Sequence, residues 1–206
     1  QFGLVGSEMC IRDRDYPIAS GWTHDGAVLV VCDSAGGLYV FDSQQGELLW
    51  SEPCAHEGGA LAMSMHPVEA VFATAGQDGK ILIWDLTGAH SRCCIEVGSG
   101  WVENVLWSPD GARLASSHGR EIQIFGVDGA EQWRSDEHLS TVSALGWLNS
   151  NELVSTCYGR VTIFDSDTGE PNQRFEWKGS LVSLALSPDG DAVSYTHLRA
   201  HETELH

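Results

Sequence analysis

The chain has 206 residues, of which 42% are hydrophobic, and a formal net charge of −18. That apolar content is enough for a core, so the composition excludes a disordered chain. The charge repels nucleic-acid backbones and anionic membranes, and among possible partners it favours a basic peptide or protein.

Twenty-three glycines beside eight tryptophans suit short strands joined by tight turns, because glycine supplies positive φ and large aromatics fill a β core. No apolar run is long enough to span a membrane, and no signal-peptide core is visible. Six cysteines (Cys10, Cys32, Cys54, Cys93, Cys94, Cys157) lie at irregular spacings with no CxxC. Adjacent Cys93 and Cys94 would point to opposite faces of a strand and are poor partners for each other. The set reads as reduced, packed thiols of a reducing, cytoplasmic compartment.

In chain order, the opening stretch with Gly6-Ser-Glu-Met-Cys-Ile-Arg-Asp-Arg14 shares no pattern with residues 15–192. It resembles translated sequencing-adapter read-through, and residues 1–14 are set aside as non-native. A first unit, about 16–55, carries Trp22, the strand ending Tyr39-Val-Phe-Asp42 and the hairpin turn Ser43-Gln-Gln-Gly46. A second, about 56–97, has alternating stretches that predict strands at Ala60–Met65, Val71–Ala75, Ile81–Trp84 and Cys93–Val97. A third, about 98–137, carries Trp107, the turn Ser108-Pro-Asp-Gly111 and the ending Gln123-Ile-Phe-Gly126. A fourth, about 138–176, carries Trp147, Thr162-Ile-Phe-Asp165 and the turn Ser166-Asp-Thr-Gly169. A fifth opens over 177–192 with Leu186 and the turn Ser187-Pro-Asp-Gly190.

The tail Val193-Ser-Tyr-Thr-His-Leu-Arg-Ala-His-Glu-Thr203 then breaks the pattern and is again adapter-like. Residues 193–206 are set aside as non-native, and His197, His201 and His206 are recruited into no metal site. Removing both end segments hardly changes the acidity, which belongs to residues 15–192. Two independent anchor series recur through those residues: Asp42, Asp85, Gly126, Asp165, and Trp22, Met65, Trp107, Trp147, Leu186. Both step by about 40 residues, the period of four-stranded propeller blades. No segment of useful length has a helical period.

Over Tyr16 to Ala192 these repeats resemble the WD-repeat family. The second repeat matches best: His56 precedes the inner strand, Thr74 sits on the second strand, Asp78 in the following turn and Trp84 on the third strand. The resemblance implies a structural tetrad in which the Asp carboxylate holds the His ring, the ring meets the hydroxyl, and the hydroxyl meets the indole N–H. It also implies an all-β fold, a β-propeller of four-stranded antiparallel blades. That propeller is incomplete here, at four repeats and one strand, where members commonly have seven.

The other repeats depart from the pattern. His138 and Thr156 stand where His56 and Thr74 do, but the turn Cys157-Tyr-Gly-Arg160 is short and Phe164 replaces the Trp. The third repeat has Gly98, Ser116 and Phe125, and the first has Val31 and Phe41. The losses look concerted: with the acid and the indole both gone, no orphan donor is expected.

Chemistry-like constellations have structural explanations. His56, Thr74 and Asp78 mimic a catalytic set, but repeat position accounts for all three. Asp165-Ser-Asp167-Thr-Gly169 resembles the start of a calcium loop, lacks the later ligands, and reads as a hairpin turn. Cys54-Ala-His56 and Cys93-Cys94 have no tetrahedral partner set. Phosphate loops, a dinucleotide fingerprint and a sialidase Asp-box are absent. The expectation is therefore no enzyme, no cofactor and no metal.

The resemblance implies a protein–protein interaction scaffold binding a protein or peptide on the propeller's top face, and the acidic charge favours a basic one. The loops entering the inner strand and those between second and third strands meet there. Positions on them are Glu57, Gln77, Trp101, Glu103, His118, Tyr158, Trp177 and Lys178. Trp101, Tyr158 and Trp177 lead, on one rim, because aromatics dominate interface hot spots. One alternative is a propeller module of a larger regulatory or enzymatic protein truncated here. A quinone-dependent or hydrolytic propeller is another, and it would need converging acids, bases or metal ligands.

Overall fold

The computed structural model describes residues 16–187 and the backbone of Val193–Leu198. The adapter-like segment 1–14, the rest of the turn expected after Ser187, and residues 199–206 lie outside the described residues. Alternating side chains and glycine-bearing turns dictate short strands, and tight turns make consecutive strands pair antiparallel. β1 (Pro17–Trp22), β2 (Val28–Asp33), β3 (Leu38–Asp42) and β4 (Leu48–Glu52) form the first sheet in that order. β5 (Ala60–Met65), β6 (Val71–Gly76), β7 (Lys80–Asp85) and β8 (Ser91–Glu96) form the second.

The third sheet holds β9 (Val102–Trp107), β10 (Arg113–His118), β11 (Glu121–Gly126) and β12 (Glu131–Arg134). The fourth holds β13 (Ala144–Asn149), β14 (Glu152–Cys157), β15 (Arg160–Asp165) and β16 (Pro171–Glu176). β17 (Ser180–Leu186) pairs antiparallel with β18 (Val193–Leu198). The all-β architecture agrees with the sequence expectation, and among the described residues no helix is long and apolar enough to cross a membrane.

β18 falls within the segment read as non-native. Backbone hydrogen bonds pair any extended segment with an open strand edge, so the pairing is a fact of fold and says nothing of origin. The strands group into two compact units whose boundary falls within β9, between Val105 and Leu106.

Local chemistry sets the turns. At the β9–β10 turn Ser108 Oγ donates to Asp110 Oδ1 at 2.6 Å, the same carboxylate accepts from Ala112 N at 3.0 Å, and Gly111 takes φ 74°. Thr23, Asp25 and Gly26 repeat the device between β1 and β2, at 2.6 Å, 3.0 Å and φ 69°. In the first and fourth sheets the third strand ends on an acid that caps the next hairpin. Asp42 accepts from Gln44 N and Gln45 N, both at 2.8 Å, and Asp165 from Asp167 N and Thr168 N at 3.0 and 2.9 Å. The calcium-loop lookalike at Asp165 is thus a hairpin turn whose leading carboxylate faces its own backbone.

Within each unit neighbouring sheets lock by a repeated knob. In the first unit Met65 fills the space left by Gly21, where a Cβ would come within 2.5 Å of Met65 Cγ. In the second, Leu186 does the same to Gly146, with Cδ1 at 2.7 Å from the position of a Cβ. These are the anchor positions of the sequence repeat, each set against the residue before the preceding anchor.

The outer strands carry a second lock. Trp50 on β4 donates its indole N–H to the Leu86 carbonyl at 2.7 Å and packs on Trp84, with ring centroids 6.2 Å apart. Trp133 on β12 donates to the Ser166 carbonyl at 2.7 Å and packs on Phe164 at 6.1 Å. Around these rings lie the cores. Val30, Leu38, Val40, Phe72 and Trp84 are buried in the first unit, and Ile122, Ile124, Leu145, Leu153 and Phe164 in the second.

Candidate functional site

A buried polar network lies in the second sheet. Thr74 on β6 lies two residues from Phe72, whose cross-strand partner is Trp84, so hydroxyl and indole share one face. Trp84 Nε1 donates to Thr74 Oγ1 at 2.9 Å, and His56 Nε2 lies 2.8 Å from the same oxygen. His56 Nδ1 meets Asp78 Oδ1 at 3.0 Å, and Asp78 also accepts from Glu57 N and Lys80 N. The four tetrad residues are brought together. Burial holds the His56 ring below the ordinary imidazole range, against the opposing pull of the Asp78 carboxylate.

The fourth sheet builds a related network from different parts. Leu153 pairs with Phe164, which makes Ser155 the register equivalent of Thr74. His138 Nε2 sits 3.0 Å from Ser155 Oγ, so the hydroxyl that meets the ring is Ser155 and not Thr156. Thr156 Oγ1 is instead 3.0 Å from Ser143 Oγ. His138 Nδ1 lies 2.9 Å from the Arg120 carbonyl oxygen, an acceptor that replaces the missing acid. Burial again lowers the His138 pKa; the Arg120 carbonyl opposes the shift, while the charges of Arg160, Arg120 and Arg174 reinforce it.

In the third sheet the expected concerted loss is incomplete. Ser116 Oγ is buried with no hydrogen-bond partner among the described residues, so one orphan hydroxyl remains. In the first sheet Asp33 is buried and caps its own turn, accepting from Gly37 N at 2.7 Å and Ala35 N at 3.0 Å.

The candidate contact residues fall into two groups. In the first unit Glu57 N donates to Asp78 Oδ2, Gln77 N donates to Gly59 O, and a side chain at Gly79 would run into the Gly98 carbonyl. Glu57, Gln77 and the stretch leading to Trp101 therefore share one end of the second sheet. Trp101 is 55% exposed there, while Glu103 is half-buried on β9.

In the second unit Tyr158 N donates to Ser140 Oγ at 2.8 Å, and Trp177 N to Gly159 O at 2.9 Å. Val142 N donates to Gly119 O at 2.8 Å, which brings the turn after His118 to the same end. Tyr158 and Trp177 are 59% and 42% exposed, Lys178 follows them, and between the strands lies Leu139 at 59%. Leu139 was missed in the sequence, where a lone leucine in a loop has no signal.

Among the described residues no His, Cys, Asp and Glu group is placed to hold a metal, and the described cysteines are free. Cys54 is exposed, whereas His56, two residues on, is turned into its network.

Comparison with known proteins agrees with the repeat geometry. Residues 48–85, from β4 through β7, match the family model described as WD domain, G-beta repeat. Protein SLOW WALKER 1 of Arabidopsis thaliana is 25% identical over 86% of this chain and 43% of its own length. A chain in the crystal structure of the mitotic checkpoint complex superposes with TM-score 0.80 at 22% identity, over 90% of this chain and 58% of that one. The β-propeller domain of Cps50 (Swd1) from Myceliophteria thermophila gives 0.75 at 15% identity, over 88% and 62%. This chain spans less than half the length of the curated relatives it matches.

Proposed function

Because this chain carries the WD repeat and the β-propeller fold, we propose that it is a protein-interaction scaffold that holds a peptide or protein partner and performs no chemistry of its own. The observation that carries the reading is the joint exposure of Leu139, Tyr158 and Trp177 at one end of the fourth sheet, fixed by backbone bonds from neighbouring loops. Rigid aromatics on short, bonded loops lose little entropy on binding, and such residues dominate interface energetics. The partner we favour is basic, because the chain carries a net charge of −18. Free thiols, including buried Cys32 and Cys157, fit a reducing cytoplasmic setting. His56, Thr74, Asp78 and Trp84 serve as a structural tetrad; His118 and Lys178 supply contacts beside Tyr158 and Trp177, and Glu57, Gln77, Trp101 and Glu103 form a separate contact group in the first unit.

Selection of displayed peptides against the full chain tests this. Peptides enriched by the chain should lose about tenfold in affinity on Tyr158→Ala or Trp177→Ala, and should be indifferent to Val68→Ala, which alters an exposed residue of the first unit. Selected peptides that bind all three variants as tightly as the parent would contradict the reading.

A further inference from the structure

Between the third and fourth sheets of the second unit runs a groove of about 210 Å³. One wall is the end of β12 with Arg134 and the loop to His138; the other is β15 and β16 with Arg160, Thr162 and Arg174. Arg160 pairs across the strands with Glu176 and Thr162 with Arg174, so the two arginines are diagonal neighbours on one face. Arg134 is already committed, to Glu131 and Glu121 at 3.0 and 3.2 Å. Arg160 reaches Glu176 only through Nη2, at 3.4 Å, and its Nε is buried without a partner among the described residues. The Arg174 side chain makes no hydrogen bond or ion pair among the described residues.

The acids in the lining do not neutralise this pair. Glu137 is held by Arg120 at 3.3 Å. Asp136 lies on the loop after β12 and Glu170 in the β15–β16 turn, and neither is within ion-pair distance of Arg160 or Arg174. The positive field reaches the floor, where it adds to burial in keeping the His138 ring neutral. Two adjacent guanidiniums with a buried donor left over are out of place in a chain of charge −18, unless an acceptor arrives from outside.

We propose that this groove is an oxyanion site for a peptide, taking a carboxylate or a phosphoryl group between Arg160 and Arg174 beside Thr162. The planar guanidinium fork matches either group in shape and charge. The site uses none of the exposed apolar residues at the loop end, so it stands or falls separately from them.

Calorimetry on the full chain, titrated separately with inorganic phosphate, acetyl-diglutamate amide and acetyl-phosphoserine amide, tests the proposal. Saturable binding of at least one probe is expected, weakened about tenfold by Arg174→Gln. Arg174 is exposed, so this variant should keep the parent's thermal midpoint. Arg92→Gln, which removes a half-exposed arginine on β8, should leave binding unchanged. Preference for phosphoserine assigns the phosphoryl group, and preference for diglutamate assigns the carboxylate. Absence of saturable binding at millimolar probe, or equal weakening by Arg92→Gln, would overturn the site.

Discussion

Trp133 donates its indole N–H to the carbonyl oxygen of Ser166 at 2.7 Å, the bond that Trp50 makes to Leu86 at the same distance in the other unit. In both cases the acceptor is the residue after the acid that ends the neighbouring sheet's third strand. The outer strand of one sheet is thereby tied to the next by one hydrogen bond and one ring contact.

The tie has a measurable worth. Trp133→Phe keeps a ring against Phe164 but leaves the Ser166 carbonyl short of a donor, and should cost about 1 kcal/mol. Trp133→Ala also removes the packing and should cost about 3 kcal/mol. Trp101→Ala, at an exposed position, should stay within about 0.5 kcal/mol of the parent. Urea unfolding of the three variants checks the order, and a Trp133→Ala as harmless as Trp101→Ala would remove the tie.

Asp78→Ala should cost on the order of 1–3 kcal/mol, because it strips the partner from His56 Nδ1 and from two backbone donors. Ser34→Ala in the first repeat should cost less, since Ser34 Oγ accepts only a 3.3 Å bond from Tyr16 N at an exposed site. Equal losses in chemical denaturation would mean that the network contributes nothing beyond its packing.

The repeat was legible because two anchor series kept one step, and the strands read from alternation in the second repeat reappear as Ala60–Met65, Val71–Gly76, Lys80–Asp85 and Ser91–Glu96. Register was not legible. Ser155 and Thr156 are adjacent hydroxyls, and only the pairing of Leu153 with Phe164 shows which one faces His138. The carbonyl of Arg120 was invisible for a different reason, since every residue has a carbonyl and sequence does not mark the one that points at a ring. Trp50 and Trp133 carry no mark in the sequence because outer-strand tryptophans belong to neither anchor series. The arginine groove depends on cross-strand neighbours far apart in sequence.

Both network histidines should titrate below 6.5, the value of a free imidazole. The unfolded chain then takes up protons first as pH falls, so their contribution is complete above about 6.5 and is lost toward their lowered folded values. His138→Gln and the parent should therefore converge in unfolding free energy between about pH 7.5 and pH 5.5. Imidazole resonances followed by NMR give the titrations directly, and a ring titrating above 6.5 would reverse the sign.

Thiol labelling should follow burial. The Cys32 thiol is pushed up to about 11 by burial, and Cys157 is buried as well, while Cys54 and Cys94 are exposed. Under native conditions iodoacetamide should, among the described cysteines, modify Cys54 first, ahead of Cys94, whose thiol is raised by partial burial, as read by mass spectrometry. Early modification of Cys32 would show that the first-unit core opens on the labelling timescale.

A partner seated on the loop end of the fourth sheet should shield the backbone there from solvent. Hydrogen–deuterium exchange of the full chain, with and without a selected peptide, tests this most directly. Slowed exchange is predicted at 139–142, 158–160 and 177–179, where Leu139, Tyr158 and Trp177 are held together by the bonds to Ser140 and Gly159. Slowed exchange confined to the opposite end of that sheet, at 149–152 and 165–172, would contradict it.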